Sequence, residues 1–427
     1  MRLNCYRLLV LRVMLPVLTL LAHPVSAALP GNPISAIIRN QSQHHAVFCC
    51  LKKARAAQPD SILRLYIDGH GSLYPDAAFL PTNTELRRDG GSAAWLETYY
   101  SCLSNPLRIA LYARHHEALN APWENIQGKL VQEAAAQINQ VTQHGQRPLV
   151  VLIHGFNVPD AQHNPADCAC DAKYCSRNPT SFDSAYYTKV RNMVKLRGKL
   201  PPRAVWLEVY WDGLQGAAPF IWGAGQLNAR FAGMRFREVL SNLDTATTVR
   251  VLTHSAGGIV IAQALWNNDA LRGGQKREKE LVAWMQRADT PRNSHIRVGM
   301  LVPALTSATF DYFGKRTSHA TPAASLTRYE LVIGRNERDY IVTKLVSMPG
   351  IFGATDMGCR EKSLQHALCQ MRPYPGTLQG ASLRTTTIFN TPSGMRKWLL
   401  WEEHDWKRYR HPHRKAEMNN FLALVFQ

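Results

Sequence analysis

The segment Pro148-Leu-Val-Val-Leu-Ile-His-Gly-Phe-Asn157 constrains the fold of this chain more than any other. Its apolar residues run without a polar break and stop at a His-Gly pair. A strand that is apolar on both sides must be covered on both faces, as strands are in a parallel sheet flanked by helices. A second segment has the same form with different punctuation. Val249-Arg-Val-Leu-Thr-His-Ser-Ala-Gly-Gly258 is a short apolar strand running straight into Ser255, and a helix-ready stretch, Ile259 to Leu265, follows. A tight strand-to-helix turn lifts a serine Oγ clear of the backbone. Small neighbours permit the turn, and the helix N-terminus behind it favours developing negative charge. This is the arrangement a nucleophilic serine needs. The usual pattern is G-x-S-x-G; here Thr253-His254-Ser255-Ala256-Gly257 lacks the first glycine.

Together the two segments resemble the α/β-hydrolase superfamily, and within it exported bacterial serine esterases and lipases. The resemblance covers most of the chain from about residue 60 onward. It implies an α/β fold, a mostly parallel sheet with helices on both faces. It also implies an oxyanion hole made by two backbone N–H groups, carried here by Phe156 after the His-Gly pair and by Ala256 after the serine. A catalytic acid and then a histidine should follow the serine in the chain. Arg328-Tyr-Glu-Leu-Val-Ile-Gly334 reads as a strand, and Asp339 lies in the turn after it, ahead of Tyr340-Ile341-Val342. That resembles the family's G-x-x-D-x-x-V acid loop. Glu337 and Asp311 are the competing acids. The last strand is expected over Leu383 to Phe389. His404 then falls in a segment, His404-Asp-Trp-Lys-Arg-Tyr409, that resembles the family's H-x-[WYF]-x-x-[YF] pattern before a terminal helix, Glu417 to Phe426. His411 and His413 are the alternative bases. His254 reads as a packing group, because the base must approach from another loop. His154 reads as a loop-stabilising residue. The resemblance thus implies a Ser255–His404–Asp339 triad acting on carboxylic esters, lipid esters among them, with no metal or organic cofactor. The reading from another class is a catalytically silent scaffold that binds an anionic partner; the Thr253 replacement is its support.

The remaining signals concern compartment and surroundings. Residues 1–27 carry Arg2, Arg7 and Arg12, an apolar core from Leu15 to Leu21, and a Val25-Ser-Ala27 ending. This reads as a secretory signal peptide cut after Ala27, so the chain is expected outside the cytoplasm, in the periplasm or beyond. Residues 28–60 read as an N-terminal arm and 61–427 as one hydrolase domain, with a cysteine-containing insert near 158–182. Early strands are expected over Ile62–Tyr66 and Leu107–Tyr112, and helices over Gly91–Tyr100 and Asn125–Val141. A strand follows at Ala204–Trp211. The aromatic-rich stretch Gly213 to Phe236 reads as a buried helix, with an acyl-pocket wall or lid as the functional alternative.

After the expected cut, Cys49, Cys50, Cys102, Cys168, Cys170, Cys175, Cys359 and Cys369 remain, an even set that favours disulfides in an exported chain. Cys359 and Cys369 are close enough to staple the loop before the last strand. The Cys168–Cys175 cluster reads as disulfide-bonded rather than zinc-binding, because its spacing is not C-x-x-C. The net charge is +19, and loss of the three arginines leaves +16. Such a field attracts anionic surfaces. The densest basic tract, Arg396 to Arg414, is interleaved with Trp398, Trp401, Trp406 and Tyr409. Aromatics among basic residues suit an anionic membrane interface. No nucleic-acid motif accompanies them. A solvated basic face is the simpler alternative.

Overall fold

The computed structural model describes residues 62–74, 120–156, 185–198, 200, 203–211, 213, 218–266, 276–287, 291, 295–310, 329–337, 339, 342, 355–371, 387–388, 404, 406–409 and 412–426. All of them belong to one compact unit spanning 43–427. The elements that frame the sheet are β1 (Ile62–Ile67), β2 (Leu73–Tyr74), α1 (Asn120–Val141), β3 (Leu149–Ile153), α2 (Ala185–Arg197), β4 (Val205–Trp211) and α3 (Ala218–Ser241). Then come β5 (Thr248–His254), α4 (Gly257–Trp266), α5 (Lys276–Arg287), β6 (His295–Leu301) and β7 (Tyr329–Arg335). The chain closes with α6 (Glu361–Met371), β8 (Thr387–Ile388), the short α7 (Trp406–Tyr409) and α8 (Lys415–Phe426).

The strands form one sheet in the order β2-β1-β4-β3-β5-β6-β7-β8. Every neighbouring pair is parallel except β1 with β2. The fold is therefore α/β. The unbroken apolar run of β3 is buried at every residue, as is all of β4. Two-sided burial of this kind is what a central parallel strand requires. Glu208 is the exception to apolarity in β4. It is fully buried and answered by Arg64 from β1, Arg191 from α2 and the Tyr210 hydroxyl, 3.0 Å away.

Chain direction fixes the layers. The β3–α2–β4 crossover moves toward one edge of the sheet, whereas β5–α4–β6 moves toward the other. Right-handed crossovers then place α2 and α4 on opposite faces. On one face α2 meets α8, and α8 lies along β5, β6 and β7. On the other, α3 packs against α4, α1 and α5. The α3–α4 approach is close because Gly233 has no side chain: a Cβ there would sit 2.5 Å from the Val260 carbonyl oxygen. Every residue of α4 is buried, so this helix is a core element, and its first turn cannot shift independently of the sheet.

Several expectations are refined. The helix expected from Asn125 begins at Asn120. Only Thr387–Ile388 of the expected last strand is described. Residues 1–61 and 157–184, the expected helix at 91–100 and the expected strand at 107–112 lie outside the described residues, together with the cysteines they contain. The aromatics of the 213–236 stretch are interior ones where described: Trp222, Phe231 and Phe236 of α3 are all buried. No helix among the described residues is long and apolar enough to cross a membrane.

Two expectations are corrected. Cys359 and Cys369 are not joined to each other; Cys359 is buried while Cys369 lies on the exposed side of α6. The helix between them turns the second sulfur to solvent. The basic tract is not uniformly a surface either. Trp406, Tyr409 and Arg414 are buried, with the Arg414 guanidinium 5.3 Å from the Tyr409 ring centre. These three side chains belong to the core, so they supply no membrane-facing surface. Trp398 and Trp401 lie outside the described residues.

Candidate active site

In the strand order, β4 lies on one side of β3 and β5 on the other. The chain leaves β3 toward one edge and leaves β5 toward the opposite edge. A crevice opens where successive crossovers diverge like this, outside the carboxyl ends of the two strands. The His154-Gly155-Phe156 loop and the Ser255 turn occupy that point.

The Ser255 turn is strained and braced. Ser255 has φ +54°, in the left-handed region that non-glycine residues seldom adopt. Its N–H donates to the Leu301 carbonyl at 3.1 Å, and its own carbonyl accepts from Ala304 N–H at 3.0 Å. The end of β6 thus clamps the turn from both sides. The glycines explain why the two loops can meet. A Cβ on Gly257 would lie 2.6 Å from the His154 carbonyl oxygen, and one on Gly155 would lie 3.1 Å from the Ser255 Cβ. Thr253, where the usual pattern has glycine, occupies an ordinary strand position paired with Ile153 and Met300. The close backbone approach falls at Gly257, so the first glycine is dispensable here.

The other two candidate residues come later in the chain, Asp339 four residues after the end of β7 and His404 sixteen residues after the end of β8. The His404 Nε2 is 2.7 Å from the Ser255 Oγ, and its Nδ1 is 2.7 Å from the Asp339 Oδ2. An ionised carboxylate can only accept, so Nδ1 carries the proton and Nε2 is left to accept from the serine hydroxyl. Asp339 is fully buried. Its Oδ1 accepts the Val342 N–H at 3.2 Å, and its Oδ2 also accepts the Tyr409 hydroxyl at 3.3 Å. The Asn336 side-chain amide donates to that hydroxyl at 3.1 Å. Burial first, and then the neighbouring Asp339 carboxylate, push the Tyr409 phenol well above its ordinary pKa. It therefore stays protonated and can donate. The competing acid Glu337 points to solvent and pairs with Arg335 at 2.9 Å. Asp311, His411 and the His413 side chain lie outside what is described.

His154 is locked by its neighbours. Its Nδ1–H donates to the Gly155 carbonyl at 2.7 Å, and its Nε2 accepts the Trp211 N–H at 3.2 Å. The Trp211 indole stacks on the imidazole at 5.3 Å and donates to the His154 carbonyl at 3.0 Å. The Tyr187 hydroxyl accepts the His154 N–H and donates to the Val209 carbonyl. Burial, opposed by the bonds to Gly155 and Trp211, pushes the His154 pKa down to about 4. The neutral imidazole fits both bonds. His254 is also buried, with its ring centre 4.8 Å from that of His404. Burial and then the nearby His404 hold its pKa well below the usual value. Both histidines are packing groups in this geometry. Among the described residues, neither the Phe156 nor the Ala256 N–H is bonded to an acceptor. No group of side chains suited to a metal ion occurs among the described residues.

The buried histidines set an expected acid response. A histidine held near pKa 4 when folded and near 6.5 when unfolded takes up its proton preferentially in the unfolded chain. The stability it contributes is complete above pH 6.5 and is lost as pH falls through about 4. For His154 the loss is on the order of 3 kcal/mol, and His254 acts in the same direction. Melting curves from pH 7.5 to 4.5 should show the decline beginning near pH 6.5, above the carboxylate range. A flat profile between pH 7 and 5.5 would contradict the neutral, locked His154.

Sequence reading brought together Ser255, Asp339, His404 and the Phe156 and Ala256 loops. It did not assign roles to Tyr409, Asn336, Tyr187 or Trp211. Tyr409 had a signal, its place in the His404-x-Trp406-x-x-Tyr409 pattern. The others had none, since each acts through long-range packing. Comparison with known proteins adds nothing to these observations: no family model, curated protein or solved structure matches the chain.

Proposed function

We propose that this chain is an exported serine hydrolase of the α/β-hydrolase class that cleaves carboxylic esters, lipid esters among them. One observation carries the reading. A serine hydroxyl, an imidazole and a buried carboxylate, from three well-separated parts of the chain, form an unbroken relay with both links at 2.7 Å. The relay sits at the divergence of β3 and β5, where such folds bind ligands. Export rests on residues 1–27 of the sequence alone.

In this mechanism the Ser255 Oγ attacks the ester carbonyl carbon as His404 Nε2 takes its proton. Asp339 holds the imidazole in the right tautomer and stabilises the imidazolium. The Tyr409 hydroxyl and the Val342 N–H keep the carboxylate aimed. The tetrahedral oxyanion is held by the N–H groups of Phe156 and Ala256, each contributing on the order of 3 kcal/mol. The imidazolium returns its proton to the leaving alcohol as the C–O bond breaks. Water, deprotonated by His404, then attacks the acyl carbon; as the bond to the Ser255 Oγ breaks, that oxygen takes the proton back from the imidazolium and the acid is released. Every step uses groups of this chain and water, so no metal or organic cofactor is required. A silent scaffold gains nothing from the geometry, because its one support, Thr253, lies in regular strand.

Rapid mixing with p-nitrophenyl acetate, butyrate and palmitate tests the reading. A burst of nitrophenol matching the enzyme concentration, followed by steady turnover, is the expected result. Folded protein that gives neither burst nor turnover on any of the three would contradict it.

A further inference from the structure

Phe156 is held by more than its own loop. Its ring lies edge-to-face against Trp222 of α3, with ring centres 4.8 Å apart. It also fills the space where residue 225 would carry a side chain. A Cβ on Gly225 would lie 2.6 Å from both Cδ2 and Cε2 of Phe156. Trp222 and Gly225 are three residues apart, so they share one face of the helix and together make a slot one ring wide. Glycine weakens a helix relative to alanine, and at Gly225 the missing side chain is what admits the ring. Gly223 provides the contrast, since it is exposed and a Cβ there would meet nothing within 4 Å.

We propose that the Gly225–Trp222 slot is a positioning device for the Phe156 N–H, the oxyanion donor of the serine-hydrolase reading on which this inference rests. The Gly155–Phe156 peptide is fixed at both ends. On one side His154 is tied to Trp211 and Tyr187, and Gly155 backs onto the Ser255 Cβ. On the other side the Phe156 ring is wedged into α3. The ring cannot simply swing aside to accept a methyl group, because Trp222 borders it. Displacement therefore passes to the peptide, and misplacing an oxyanion donor affects the transition state more than substrate binding.

The test is p-nitrophenyl butyrate kinetics combined with melting curves. Gly225→Ala should lower kcat by at least about tenfold, with KM changed less than about twofold, in a protein that still melts cooperatively. Gly223→Ala should match the wild type in kcat. Adding Phe156→Leu to Gly225→Ala should recover much of the lost kcat, because the shorter side chain clears the new methyl group. Wild-type kcat in Gly225→Ala overturns the proposal. So does a loss that Gly223→Ala reproduces, or one that Phe156→Leu fails to relieve. Should Gly225→Ala not fold, Trp222→Leu carries the test: a kcat loss at constant KM supports the slot, and an unchanged kcat overturns it. A wild-type protein with no burst and no turnover would overturn the hydrolase reading itself, a result distinct from an active enzyme indifferent to residue 225.

Discussion

Ser255→Ala should lower kcat for ester hydrolysis by on the order of 10⁶-fold, because the three residues of a relay act as a unit and the nucleophile has no substitute. The fold should survive. The Ser255 backbone is held by Leu301 and Ala304 through bonds that do not involve its hydroxyl. The positive φ of +54° adds a second, independent expectation. Alanine keeps the left-handed strain of that position, whereas glycine removes it. Ser255→Gly should therefore be as inactive as Ser255→Ala but more stable by about 1 kcal/mol, despite the greater freedom of glycine in the unfolded chain. Activity near wild type in either variant would remove Ser255 from the chemistry. A glycine variant less stable than the alanine one would mean the strained turn is misread.

The acid and base should divide differently. His404→Ala should cost nearly as much as Ser255→Ala, and combining the two should cost no more than either alone. Asp339→Asn should lower kcat by on the order of 10⁴-fold. An amide at position 339 can donate to the His404 Nδ1, which favours the wrong tautomer and takes the acceptor away from the Ser255 hydroxyl. Tyr409→Phe removes one of the bonds to the Asp339 carboxylate and leaves the tautomer intact, so its cost should be far smaller. Glu337→Gln should have no effect, since that carboxylate faces solvent and pairs with Arg335. Steady-state kinetics on this set separates the assignments. A dead Glu337→Gln beside an active Asp339→Asn would exchange the acid, and a dead His411→Ala or His413→Ala beside an active His404→Ala would exchange the base.

What could be read from the sequence follows from what leaves a local mark. The sheet was legible at β3, because two-sided burial demands an unbroken apolar run, and at β5 from a short, mainly apolar strand that runs into Ser255. The two loops were legible because close backbone approach demands glycine at Gly155 and Gly257. His404 carried a mark in its spacing to Trp406 and Tyr409. The choice of Asp339 over Glu337 rested on the resemblance alone, since they lie two residues apart in one turn; the 2.7 Å contact with His404 falls on Asp339. The burial of Trp406, Tyr409 and Arg414 was hidden by the charged residues around them, since a short helical turn in a basic tract shows no period. The geometry of Cys359 and Cys369 was hidden for a different reason. Ten positions apart suggests a staple until α6 is seen to carry the second sulfur outward. Gly225 gives no signal at all, because its role is defined by a ring 69 positions away in the chain.

The central claim is that Ser255 is an activated nucleophile. Its most direct measurement is reaction of the folded protein with a fluorophosphonate probe, followed by intact-mass and peptide analysis. The hydroxyl oxygen attacks phosphorus, fluoride leaves, and His404 takes the proton, so labelling needs the relay but no particular ester. One probe per chain is expected, on the peptide containing Ser255, lost in Ser255→Ala and strongly slowed in His404→Ala. Folded protein that takes up no probe, or takes it up on a different serine, would contradict the account.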